Sequence, residues 1–238
     1  MLELQVLYED NHLLVIDKPA GLASQGGSDD DHLVARVAAY LKARYAKPGN
    51  VYVGLVHRLD RGTSGAIVVA RTSKAAERLA SAFRDRGPDK TYLALVQVAG
   101  SPPPDLGRLE HHVVARDDHG TRVVPAGTSG AKHAALTFEV RARSATACLV
   151  EVHLETGRKH QIRVQLAAAG WPLLGDRRYA PPEVASRFHR PALHAWRIAL
   201  THPVRGDRCV FEAPIPSDFR GVMAALGLEL KPAPRNGV

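Results

Sequence analysis

The chain has little with which to build a metal or cofactor site. Only two of its 238 residues are cysteine, Cys148 and Cys209, each inside an apolar, strand-like run, and no CxxC spacing occurs. Both thiols read as reduced core residues, and a zinc site made from them is not expected. No P-loop and no GxGxxG turn after a strand is present, so nucleotide and dinucleotide chemistry are not indicated. No apolar stretch approaches the ~20 residues needed to span a bilayer. The start, Met1-Leu2-Glu3-Leu4-Gln5, lacks the basic and then apolar regions of a signal peptide. These absences predict a soluble protein of the reducing cytoplasm that works without metal or cofactor.

What the chain does have is a core and a positive charge. A hydrophobic share of 45% suffices for one large domain over 1–238. With 32 basic against 24 acidic residues, the net charge is +8 and the pI about 9.8, which points to a polyanionic partner, nucleic acid by default. Arginines outnumber lysines 24 to 8. Genome base composition explains that bias as well as function does; the functional account is that guanidinium forks grip phosphate and stack on bases. The charge is spread along the chain with no polybasic tail, so a basic surface must be assembled by folding.

One stretch organises the rest: Val56-His57-Arg58-Leu59-Asp60-Arg61-Gly62-Thr63-Ser64-Gly65, followed by the apolar run Ala66–Ala70. The run reads as a buried strand of β-branched residues. The decapeptide reads as a glycine-punctuated turn that presents one carboxylate between two guanidiniums. Nearby positive charge favours an ionised Asp60. Taken alone, Arg-x-Asp-Arg is also an ordinary surface turn with a local ion pair.

Along the chain, residues 4–8 and 13–17 read as strands joined by a turn at Glu9-Asp10-Asn11, and Lys18-Pro19-Ala20-Gly21-Leu22 ends the second. A polar loop, Gly26–Asp31, precedes a helix over about 32–46 whose apolar stripe is Val34, Val37, Ala38, Leu41 and Tyr45. That stripe makes Tyr45 a core residue. A second helix over about 73–86, capped by Thr72 or Ser73, buries Ala75, Ala76, Leu79, Ala80 and Phe83. In the strand Lys90–Val98, Tyr92 shares parity with Ala94 and Val96, as a packed aromatic would. Residues 106–131 read as a solvated hairpin. The spacing of His111, His112 and Asp118 matches no usual metal site. The segments 134–141 and 147–155 alternate as a half-exposed antiparallel pair, with Cys148, Val150, Val152 and Leu154 on one face and Glu151, His153 and Glu155 on the other. A strand ends near Glu155, and a helix then runs to about Ala169 with Gly170 as its stop. Arg158, Lys159 and His160 crowd its start, where cations oppose the helix dipole; the placement suits an anionic ligand. A short helical turn over 183–188 and two closing strands, 193–198 and 208–212, complete the chain, and residues 231–238 read as frayed.

These segments resemble, in order, the motifs of the RluA-like RNA pseudouridine synthases. The decapeptide is similar to His-Arg-Leu-Asp-x-x-Thr-Ser-Gly, and Lys90–Val96 to Lys-x-Tyr-x-Ala-x-Val. Thr156–Arg163 resembles Thr-Gly-Arg-x-His-Gln-Ile-Arg, and Gly170–Tyr179 resembles Gly-x-Pro-x-x-Gly-Asp-x-x-Tyr. Lys18–Leu22 resembles the motif that packs beneath the family's active site. The resemblance runs from about residue 8 to 219. It implies a mixed α/β (α+β) fold: a largely antiparallel, curved sheet of about eight strands, flanking helices and a central cleft.

It also implies isomerisation of a uridine in tRNA or rRNA to pseudouridine, without cofactor. Asp60 is then the catalytic carboxylate, as nucleophile or charge stabiliser. Tyr92 lies beside it, as the base for late proton removal or as a ring stacked on uracil. Arg163 is the ion-pair partner of Asp60. Arg58 fills the space left by the flipped base, and Arg61, Arg158, Lys159 and His160 join it as RNA contacts. The first motif starts at Lys18, so no S4-type RNA-binding module is expected, and a monomer selecting its own stem-loop is. An idle RNA-binding module on the same fold, or an unrelated hydrolase using Asp60, are the competing readings.

Overall fold

The computed structural model describes residues 4–26, 31–46, 48–98 and 100–230. Most of the Gly26–Asp31 loop and the segment 231–238 that is expected to fray lie outside the described residues. The chain divides into two compact units, Met1–Tyr92 with Leu193–Ile215, and Leu93–Ala192 with Pro216–Val238.

In the first unit the strands β1 (Gln5–Glu9), β2 (Leu13–Lys18), β4 (Ser64–Ala70), β10 (Leu193–Thr201) and β11 (Arg208–Glu212) lie in that order, with the two-residue β3 (Gly54–Leu55) also on β4. Every neighbour pair is antiparallel except β4 with β10. All seven residues of β4 are buried, as an apolar run without alternation requires. Its pairing with β2 sets Val68 opposite Val15 and Ala70 opposite Leu13. One face of that pair packs with Ala75 and Leu79 of α2 (Ser73–Arg84) and with Ile198, Leu200 and Phe211. Thr72 caps α2 by accepting the Ala75 N–H at 3.2 Å.

Helix α1 (Leu33–Arg44) buries Val37 and Leu41 of the expected stripe, but with Leu33 in place of Val34, and Val34 and Ala38 are only half-buried. Tyr45 is corrected with it. The helix ends at Arg44, so Tyr45 is 43% exposed, its hydroxyl bonded to Glu9 and its ring beneath Arg71.

The second unit orders its strands as the latter part of β5 (Asp89–Gln97), β9 (Ala147–Leu154), β8 (Lys132–Arg143), β6 (Leu106–Ala115) and β7 (Thr121–Val124). Helices α3 (Gln161–Ala168), α4 (Pro182–Ala185) and α5 (Ser217–Ala225) complete it. The expected solvated hairpin is the antiparallel pair β6–β7. The half-exposed reading of β9 is corrected: it is buried on both faces as far as Val152, and its Glu151 is buried in an ion pair with Arg141. Cys148 is buried as expected, whereas Cys209 is only half-buried beside the Asp207 carboxylate.

The described residues thus form a mixed α+β, mainly antiparallel structure with eleven strands rather than about eight. Gly65 explains why the parallel strands can come so close. It has φ +116°, and an added Cβ would lie 2.2 Å from the Ala195 carbonyl oxygen. Gly65→Ala should cost about 3 kcal/mol or more in urea unfolding, since backbone strain and overpacking add. Gly127→Ala, at φ +86° with open space around it, should cost only about 1 kcal/mol.

Candidate active site

The Asp60 loop is held by its backbone. Asp60 accepts the Thr63 N–H at 3.0 Å, which closes the turn before β4. The segment at the end of β2 grips the loop from beneath. Ser24 accepts the Leu59 N–H at 3.1 Å and donates its hydroxyl to the Leu59 carbonyl at 2.7 Å. The Gly21 N–H reaches the Arg61 carbonyl at 2.7 Å, and Arg61 Nε returns to the Gly21 carbonyl at 2.8 Å. Lys18 is wholly buried; its Nζ donates to the carbonyls of Leu22 at 2.8 Å, Pro19 at 2.9 Å and Arg61 at 3.5 Å. An ammonium taken out of water is costly unless acceptors surround it, and these carbonyls supply them. At the far end of the loop Ser64 meets buried His194 through Oγ and Nδ1 at 2.9 Å.

Two rings flank the loop. Tyr92 is 8% exposed, and its phenol is pushed to higher pKa by burial first and by the Asp60 carboxylate second. Both causes act against the phenolate, so Tyr92 is a neutral phenol within the electrostatic reach of Asp60. His57 stacks on Phe83 with ring centroids 4.6 Å apart, and its Nε2 accepts the Val68 N–H at 2.9 Å. Burial drives its pKa down to about 3. The imidazole is a neutral acceptor that fastens the loop to β4.

Arg163, in α3 of the second unit, is 9% exposed and forks onto Asp176, Nε to Oδ2 and Nη2 to Oδ1, both at 2.7 Å. Asp176 has no exposed surface and also accepts the N–H groups of Arg178 at 3.0 Å and Tyr179 at 3.3 Å. The Arg163 guanidinium lies over the Tyr179 ring, 5.1 Å from its centroid. The Tyr179 hydroxyl accepts the Thr121 N–H and meets His160 Nδ1, each at 2.8 Å. A bidentate carboxylate, an aromatic plane and the helix together restrain this guanidinium in position and tilt.

The expected site residues fall into two sets. Asp60, Tyr92, Arg58 and Arg61 belong to the first unit, with the Arg58 side chain exposed and Arg61 spent partly on Gly21. Arg163, Arg158, Lys159 and His160 belong to the second. There Lys159 is exposed, Arg158 Nε donates to the His133 carbonyl at 2.9 Å, and His160 sits at φ +55° as the N-cap of α3 without a side-chain cap bond. Among the described residues no group of three His, Cys, Asp or Glu side chains is placed to hold a metal ion.

Asp176 and His194 escaped the sequence reading as supports, and Lys18 entered it only as part of the motif that packs beneath the site. The signals were present as a lysine closing an apolar strand and as the aspartate of Gly175-Asp176-x-x-Tyr179, but neither pattern shows burial. Asp176→Ala leaves a buried guanidinium without its carboxylate and should cost about 3 kcal/mol by denaturant unfolding. For His57 the linkage has a definite sign. A folded pKa below the unfolded value near 6.5 contributes stability that is present at neutral pH and lost as pH falls from about 6.5 towards 3. The stability advantage of wild type over His57→Gln should therefore shrink between pH 7 and pH 4.5 in urea titrations.

Comparison with known proteins agrees with these motifs. The family model described as RNA pseudouridylate synthase matches residues 12–168. The chain is 37% identical to ribosomal large subunit pseudouridine synthase D of Nitrosomonas europaea over 94% of its own length and 65% of that protein's, so it spans just under two thirds of that relative. It is also 37% identical to the dual-specificity RNA pseudouridine synthase RluA of Escherichia coli, over 91% of this chain and 94% of that one. Among solved structures, human RNA pseudouridylate synthase domain containing 4 superposes with a TM-score of 0.79 at 25% identity, covering 94% of each chain. With the family model covering more than half of the chain and the Asp60 loop built as described, the protein belongs to the RNA pseudouridylate synthase family.

Proposed function

We propose that residues 1–238 act as a single catalytic domain that converts uridine to pseudouridine in RNA, in the cytoplasm and without cofactor. The observation that carries this reading is a half-buried carboxylate on a loop clamped at both ends, with a buried, neutral tyrosine beside it. The substrate class follows from the relatives, one named for the ribosomal large subunit and one for dual specificity. A tRNA or rRNA stem-loop is the substrate, and the enzyme works as a monomer.

The reaction breaks the C1′–N1 bond, turns the uracil and joins it through C5. The uridine must first leave its stack, at a cost of a few kcal/mol that backbone contacts offset. Exposed Arg58 occupies the vacated space, and Arg61, Arg158, Lys159 and His160 contact the RNA around it. Asp60 meets the sugar or base of the displaced nucleoside. Arg163, aimed by Asp176, is its ion-pair partner, a role carried over from the family motif. Tyr92 enters as a neutral phenol, so it lies against the uracil first. In the last step its oxygen takes the C5 proton while its own phenolic proton passes to the Asp60 carboxylate, released by then from the nucleoside, and restored aromaticity drives the transfer.

The test is incubation with bulk cellular RNA and chemical mapping of pseudouridine. Wild type should form new sites; Asp60→Ala should form none while still binding RNA. Tyr92→Phe should lower kcat by about 100-fold, the lower part of the range for a lost general base, with RNA affinity unchanged. Activity near wild type in Tyr92→Phe would instead reduce Tyr92 to its ring.

A further inference from the structure

Three stretches distant in sequence meet at the tip of the β6–β7 hairpin. The turn between the strands is closed by the Arg116 N–H on the Gly120 carbonyl at 3.0 Å and by the Gly120 N–H on Asp118 Oδ1 at 2.9 Å. Thr121 then pins the tip to two loops of the same unit. Its N–H goes to the Tyr179 hydroxyl, and its hydroxyl donates to the Lys159 carbonyl at 2.9 Å.

The result is a gathering of cations. Arg116 Nε and Arg178 Nη1 both approach Asp118, at 3.4 and 3.3 Å; exposed Arg177 precedes Arg178 in the chain, and exposed Lys159 is tied to the tip through its carbonyl. Within the three stretches the opposing carboxylates are Asp117, Asp118 and Asp176, and the last is buried against Arg163. A shared, single-point contact occupies a small part of each five-donor guanidinium. Gly120 leaves room for this approach: a Cβ there would lie 2.8 Å from Asp118 Oδ1 and 3.0 Å from Arg178 Nη1. Like charges brought together by neutral bonds raise the energy of the bare protein, and a polyanion relieves it.

We propose that this hairpin tip, through Arg116, Lys159, Arg177 and Arg178, is a docking surface for the ribose-phosphate backbone of the RNA helix beside the target uridine. The proposal rests on the reading of RNA as substrate. An RNA backbone fits better than an acidic protein because none of the exposed large apolar side chains among the described residues lies in these stretches. Protein partners anchor on such side chains, whereas phosphates need only cations and polar hydrogens. The contacts carry no sequence information, so they set affinity and register.

The test combines Arg116→Gln, Arg177→Gln and Arg178→Gln in the full chain, with unchanged urea unfolding as the control for folding. Binding to unfractionated tRNA is measured across salt concentrations in an Asp60→Ala background, so that it is independent of turnover. The triple variant should bind about tenfold more weakly near 0.1 M salt, and its log Kd against log [salt] slope should fall by about 2. In the active background KM should rise while kcat holds within about twofold. An unchanged slope, or polyglutamate bound as tightly as tRNA, overturns the docking surface. Absence of pseudouridine from wild-type reactions overturns the enzymatic reading instead, and leaves the binding result to stand by itself.

Discussion

The structure of the Asp60 loop depends on one buried ammonium. Lys18 has no exposed surface, and its Nζ gathers the carbonyls of Pro19, Leu22 and Arg61, which ties the end of β2 to the residue after Asp60. Carbonyl acceptors are what make a cation tolerable at that depth. Once the amine is fixed, the Gly21 and Ser24 bonds fall into register with Arg61 and Leu59, and the turn carrying the carboxylate has little freedom left. A loop fixed through its main chain leaves its side chains available for chemistry.

The same logic operates in the second unit with different parts. There the element to be aimed is a guanidinium, and a buried carboxylate with an aromatic plane aims it. Asp176 reaches Arg163 with both oxygens and still accepts two backbone N–H groups, so its own position is set by the 176–179 turn. Tyr179 extends the constellation to Thr121 in the hairpin and His160 before α3. The residues proposed to touch RNA and the residues that orient Arg163 are therefore mechanically connected through one phenol. His160, held at positive φ, is the strained member of that connection.

The elements were legible where periodicity was strong. Strand β4, helix α2 and the β8–β9 pair follow from apolar spacing and turn residues alone, whereas the choice of Thr72 over Ser73 as the α2 cap came from the structure. The errors share a cause. Tyr45 was assigned to the core because helical phase was extended one residue beyond the last turn of α1, where the side chain swings out to Glu9. Glu151 was placed on an open face because alternation cannot reveal that a second layer covers it, and there Arg141 supplies the compensating charge.

Residue types and their order determined the family and the basic character, and they put Asp60, Tyr92 and Arg163 forward as candidate site residues. Those are properties of local motifs, which survive without knowledge of what packs where. The tertiary structure alone decided which charged groups are buried and what each one faces. It made Lys18 and Asp176 internal supports, His57 a neutral acceptor, Tyr92 a protonated phenol, and the hairpin tip a cluster of cations. Burial and long-range pairing set those outcomes, because desolvation depends on neighbours that are distant along the chain.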